Sequence, residues 1–328
     1  MFASVPDVLR LAVLPVLGWA AWRDVEIRRV PSRTWYPLVG LGALLLVWDA
    51  VDHLSFATTA DVLFFVRVGV SLLVVAPIAY LFWRLGGFGG ADAKALIAIS
   101  VLLPTFPTYY FSGFTLPVAV TTLGVFSMTI LTNTVVLAAG YPIGLLARNL
   151  LDGEVTIPVA LFGRRIDVAA LPSAHGRLFE TTDGFTRGGL DIDALRMYLR
   201  WRGTSLDAVR SNPGWGRDPA SIDETYDPTD GAVGDGGHDP ALTPAPDAEY
   251  DPDPADPWGA AAFLDSIDGT AYGTSPEKLR DGLEVVTERD AVWISPGIPF
   301  IVPMFVGTLV AFVYGDVVFG ALGALGVV

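Results

Sequence analysis

The chain has 328 residues, 52% of them hydrophobic, with no cysteine and three histidines far apart in sequence (His53, His175, His238). Its mean hydropathy of +0.49 comes from several uncharged runs near bilayer-spanning length, so the membrane is the first expectation and an ordinary soluble domain is excluded. The missing thiols exclude disulfide frameworks, thiolate zinc sites and cysteine nucleophiles, and no metal or other cofactor is expected. The formal charge of −14 is mostly local, because residues 218–257 hold twelve Asp/Glu and no Lys or Arg. No nucleic-acid partner is expected. Of the 21 bases only Lys94 and Lys278 are lysines, a usage that suits a cytoplasm of high ionic strength.

In chain order, hydropathy predicts six spans, roughly Val5–Trp22, Trp35–Val51, Val62–Trp83, Ala95–Tyr110, Pro117–Leu146 and Ile298–Tyr314. The first is the weakest, interrupted by Asp7 and Arg10. A cleavable signal peptide competes there, but no small-residue cleavage site precedes Arg23. Arg67, inside the third span, is expected to snorkel or to face a neighbouring helix. Positive charge sets the orientation. Arg23, Arg28, Arg29 and Arg33 lie in the first connector, Arg84 and Lys94 in the third, and Arg148 opens the fifth; the second and fourth have no Lys or Arg. The odd connectors are therefore expected in the cytoplasm and both termini outside.

The predicted fold class is an all-α polytopic membrane protein of six transmembrane helices, with a small mixed α/β cytoplasmic insertion between helices 5 and 6. Residues 1–148 would form helices 1–5, 149–294 the insertion, and 295–328 helix 6 and the tail. Inside the insertion, "EVTIPVALFG" and "RRIDVAAL" alternate like strands. A basic helix over Asp193–Arg202, with Arg196, Arg200 and Arg202, would lie on anionic lipid or form an ordinary surface helix. The Asp-, Pro- and Gly-rich residues 212–258 should be disordered. Ser275 and Pro276 are a good N-cap and first position for a helix to about Gly282.

"RLGGFGGADAK" (84–94) separates the third and fourth spans. It is not a phosphate loop. The P-loop spacing is absent, and Asp92 stands where a dinucleotide fingerprint would place its last glycine. Taken alone it reads as a glycine hinge with an acid at a helix start. Asp24 changes that reading, since it ends the first span on the cytoplasmic side and Asp92 begins the fourth on the same side. Two acids at matched depth can share a proton and hold a water, one acting as acid and the other as base. Glycines before Asp92 allow a close approach to its backbone.

The segment "DVEIRRVPS" (24–32) resembles the signature of type IV prepilin peptidases, an aspartate followed after five or six residues by Ile or Val, Pro, then Asn or Ser. "GGAD" (89–92) is similar to their G-x-G-D motif, with Ala91 in the hydrophobic third position seen in the archaeal preflagellin and prepilin peptidases. The ending "VWISPGIPFIVP" (292–303) also resembles the archaeal members. The resemblance implies a membrane aspartic endopeptidase with Asp24 and Asp92 catalytic. It also implies supporting places for Arg28, Arg29, Pro31, Ser32, Gly89, Gly90, Ala91 and Lys94, and archaellin or type IV pilin precursors as substrates, cut between a short basic leader and a hydrophobic helix. Bacterial members often carry a tetracysteine segment and N-methylate the new terminus; with no cysteine and no N-terminal extension, this chain is expected to cleave only. Presenilin-like proteases pair a Y-D with a P-A-L motif inside spans, whereas the "PAL" here (240–242) falls in the acidic stretch. By residue chemistry alone, Arg28, Arg29 and Lys94 read as interfacial anchors, Glu26 as a solvated partner of Arg29, and Pro31 and Ser32 as the start of the second span. The rival class is a small transporter or assembly factor, which would place its acids near mid-bilayer and show a repeated half.

Overall fold

The computed structural model describes residues 2–327 apart from 86, 155, 157–158, 234–249, 268–270 and 298. The chain divides into two compact units, Met1–Tyr141 with Ile298–Val328, and Pro142–Gly297.

The first unit begins with α1 (Val5–Arg10) and α2 (Val13–Ile27). The charges that interrupt this stretch neutralise one another. Arg10, buried, donates to Asp7 at 2.7 Å and to Leu102 O at 3.2 Å, and pairs with Asp49. α2 stops where Arg28 turns left-handed, φ 56°. After a 3-10 turn at Ser32–Thr34 comes α3 (Tyr36–His53). α4 (Thr59–Val70) starts with a reciprocal Thr58/Asp61 capping box and continues through a π turn, Ser71–Val75, into α5 (Ala76–Arg84). Pro77 has no N–H to offer the preceding turn, and the widened turn accommodates that loss. The same turn holds Ser71 inward, where its hydroxyl meets Ser100 O and Ser127 Oγ at 2.7 Å each. Arg67 donates to Leu123 O at 2.8 Å, so it faces a neighbouring loop.

α6 (Gly90–Leu102) ends before Pro104, and the antiparallel hairpin β1 (Tyr109–Phe111) and β2 (Phe114–Leu116) leads to α7 (Phe126–Leu151). α3 and α6 pack backbone to backbone, since a Cβ on Gly42 would come within 2.7 Å of Leu102 Cα.

The second unit begins in the last turns of α7. Asn149 fixes the following loop by donating to both Ala160 O and Gly163 O at 2.8 Å. β3 (Arg164–Asp167), β4 (Arg177–Leu178) and β7 (Ala291–Ser295) make an antiparallel sheet in the order β3-β7-β4, and β5 (Glu180–Thr181) pairs with β6 (Gly184–Phe185). Of the two alternating stretches, "RRID" is a strand, while Val159–Leu161 is a 3-10 turn. The core gathers around α8 (Ile192–Trp201), with α9 (Leu206–Ser211), α10 (Pro213–Arg217), α11 (Ala260–Asp265) and α12 (Pro276–Glu288).

Two expectations are corrected here. α8 is neither lipid-facing nor a surface helix, because every residue in it except the half-buried Asp193 is buried. Arg196 donates to Gly231 O (2.7 Å), Pro172 O (3.2 Å) and Ala174 O (2.7 Å), Arg200 to Asp227 O (3.0 Å), and Arg202 to Gly216 O (2.7 Å). These arginines are the polar staples of the core rather than a basic face. For the same reason the expected disorder does not cover 212–233 or 250–258: Gly216, Pro219, Ile222 and Trp258 are buried against the core, held partly by those arginine bonds. The middle of that stretch, 234–249, lies outside the described residues.

The chain returns to the first unit with α13 (Ile301–Val313) and α14 (Val317–Ala324). Among the described residues, four helices are long and apolar enough to cross a membrane: Val5–Ile27, Ser32–His53, Thr59–Arg84 and Phe126–Leu151. The expected fourth and sixth spans are 13-residue helices, α6 and α13, about 20 Å long against a hydrocarbon layer of about 30 Å. The expected fourth span overruns Pro104 and Pro107 into β1, and the helix of the expected sixth begins only at Ile301, after Pro299, and ends at Val313.

Candidate active site

Asp24 lies in the last turn of α2 and Asp92 in the first turn of α6, 8% and 9% exposed respectively. The two carboxylates interact electrostatically with one another, and Arg28 with both. Each acid meets a helix end. The Gly89 N–H donates to Asp92 Oδ2 at 2.9 Å, closing the first turn of α6 around the carboxylate. The backbone N–H at the start of α13, on Ile301, faces Asp24. Asp24 Oδ2 is buried and accepts no hydrogen bond among the described residues. A desolvated carboxylate oxygen without a donor is costly. A shared proton or a water between the acids would satisfy it.

Gly89 has an ordinary extended backbone, φ −65°, so freedom of φ does not explain the glycine. Space does: a Cβ there would stand 2.8 Å from Asp92 Oδ2. A Cβ on Gly90 would meet only Trp83 Nε1, at 3.5 Å. Ala91 is half-buried and packs against the apolar cluster of the unit, as do Phe88 and Phe300, whose rings are 4.7 Å apart.

The predicted supporting residues fall into two groups. Lys94 Nζ donates to Ser32 Oγ at 2.6 Å, which ties the two aspartate segments together. Ser32 therefore spends its hydroxyl on Lys94 and makes no cap, and Pro31 (φ −58°) leads into the 3-10 turn. Arg28 caps α2 and senses both acids. Arg29 is half-buried and Glu26 exposed. Sequence reasoning missed the Ile301 N–H, because a backbone donor leaves no residue-type signal. Pro299 before an apolar helix was the available hint of a helix start.

Paired buried acids at converging helix ends, among helices of membrane length, define a polytopic membrane protein with an acid-pair site. Comparison with known proteins gives the family. The type IV leader peptidase family model matches residues 11–143 and the archaeal peptidase A24 C-terminus type II model residues 265–317, together more than half the chain. The chain belongs to the type IV leader peptidase family. It is similar to prepilin peptidase EppA of Methanothermobacter thermautotrophicus, 28% identical over 120 residues, which is 36% of this chain and 29% of that protein. The matched stretch thus spans less than a third of that relative's length.

Proposed function

We propose that this chain is a membrane aspartic endopeptidase that removes the short basic leader from archaellin or type IV pilin-like precursors at the cytoplasmic face. Its six crossings would comprise the four long helices together with α6 and α13, with residues 149–294 as the cytoplasmic insertion. The observation that carries this reading is the electrostatic contact between two buried carboxylates, one of which keeps an oxygen free of hydrogen bonds. Family membership and the name of the similar relative support precursor peptides as the substrate class, and the arginines of the first connector support the orientation.

One carboxyl of the pair carries a proton and the other is ionised, because close like charges do not both ionise readily. The ionised oxygen takes a proton from the water as the water oxygen bonds to the scissile carbonyl carbon. The protonated partner gives its proton to the carbonyl oxygen. The tetrahedral diol then collapses as one hydroxyl gives its proton to the now ionised partner, the C–N bond breaks, and the leaving nitrogen takes the proton that the first carboxyl drew from the water. Arg28 tunes the charge of the pair, the Gly89 N–H holds the Asp92 carboxylate in place, and the helix N-terminus at Ile301 faces Asp24. Cleavage without N-methylation completes the reading.

The test expresses the full chain in membranes with a precursor archaellin or pilin, beside Asp24→Asn and Asp92→Asn. Each variant should lose at least ~100-fold in cleavage, the scale of a lost acid or base. Either variant cleaving at the normal rate sinks the two-acid mechanism.

A further inference from the structure

The second unit carries an apolar patch that the site above does not use. Phe162 and Phe185 are 38% and 52% exposed. They line a groove of about 180 Å³ with Val159, Phe179 and Arg187, whose guanidinium lies 4.3 Å over the Phe162 ring. An aromatic floor beneath a cation suits the boundary between headgroups and acyl chains, where rings enter the apolar layer and the cation stays with phosphate.

The patch is fixed to a helix of membrane-spanning length. Asn149, in the last turns of α7, holds the 159–163 loop through two hydrogen bonds, and Leu146 packs on Val159, Phe179 and Trp293. The end of α7 is itself apolar and open, with Leu150 and Leu151 53% and 89% exposed. Leu150 and Leu151 thus add exposed apolar surface to the second unit, beside the asparagine that holds the loop of the patch.

We propose that Phe162, Phe185 and Arg187 form a membrane-interface anchor, with an anionic phospholipid surface as its occupant. The anchor keeps the second unit seated on the bilayer on which the spanning helix ends, and it involves no residue of the acid pair.

The chain has no native cysteine, which makes a single-site probe clean. The experiment places the full-length Phe185→Cys protein, labelled with an environment-sensitive NBD dye, in phosphatidylglycerol nanodiscs. Emission is read against doxyl-labelled lipid and against aqueous iodide. Position 185 is half exposed, so the substitution spares the core. An anchor predicts loss of most emission to doxyl lipid and little to iodide, with the doxyl loss reduced when Arg187→Glu is added. Quenching by iodide alone puts the patch in water and overturns the proposal. Protection from both quenchers shows that another protein surface covers it, which overturns the proposal equally.

Discussion

Gly89→Ala separates the chemistry of the acid pair from the stability of the helices around it. The added Cβ would stand 2.8 Å from Asp92 Oδ2, short of ordinary contact by roughly 0.6 Å. The atom in its way is the end of a short side chain, so the carboxylate moves and the helix stays. Moving it weakens the 2.9 Å bond from the Gly89 N–H, a loss of about 1–2 kcal/mol. Replacing glycine at φ −65° returns about 0.4–1 kcal/mol by restricting the unfolded chain. Net destabilisation should stay near 1 kcal/mol. Catalysis is less forgiving, because displacements approaching 1 Å at a reacting group cost up to ~100-fold. The assay follows precursor cleavage in membranes alongside thermal unfolding, with Gly90→Ala as control, since a Cβ there makes only a 3.5 Å contact. Cleavage should fall ~10- to 100-fold for Gly89→Ala and stay near normal for Gly90→Ala, with similar unfolding temperatures. Wild-type cleavage by Gly89→Ala, or equal losses in both variants, refutes the reasoning.

Further outcomes follow from other contacts. Lys94→Ala and Ser32→Ala each remove the 2.6 Å bond between the aspartate segments. The double variant should therefore cleave no worse than either single one, and additive losses would show that the two side chains act independently. Arg196→Ala removes the guanidinium that three carbonyls share and its ion pair with Asp193. It should cost about 3–5 kcal/mol and make the second unit sensitive to limited proteolysis, while wild-type resistance would contradict the stapling role. Asp191 is pushed from the ordinary 3.8 to about 6, chiefly by burial and then by Asp193. The folded unit therefore holds a proton there that the unfolded chain releases, and stability falls by about 3 kcal/mol as pH climbs from about 4 to about 6. Hydrogen-exchange protection of α8, corrected for intrinsic rate, should follow that fall. Asp191→Asn, which still caps the helix, should flatten it, and an unchanged slope would assign the effect elsewhere.

Much of the first unit was legible because lipid imposes a simple pattern. Runs of apolar residues mark the long helices, and the number of crossings between Asp24 and Asp92 predicts one membrane face for both. The α6 and α13 lengths were not legible, because hydropathy counts apolar residues whether or not they are helical, and it ran past Pro104 and Pro107 into β1. The second unit was read less well. Arg196, Arg200 and Arg202 have the same sequence signature on a wet surface as in a core, and only their carbonyl partners distinguish the two. Each of the three has a carbonyl partner, Gly231, Asp227 or Gly216, in the segment that composition marked as disordered, so the two misreadings are linked. Lys94 and Ser32 sit 62 positions apart, and nothing local in either segment signals the other.

The Ile301 N–H that faces Asp24 comes from a helix separated from the other two by the whole of Pro142–Gly297. On the ribosome, α2 and α6 emerge with both acids long before α13 does. A nascent chain therefore carries its two carboxylates in a site lacking one wall until α13 has been made. The insertion acts as a delay written into the gene, so that Asp24 reaches its final setting only once the second unit has been made.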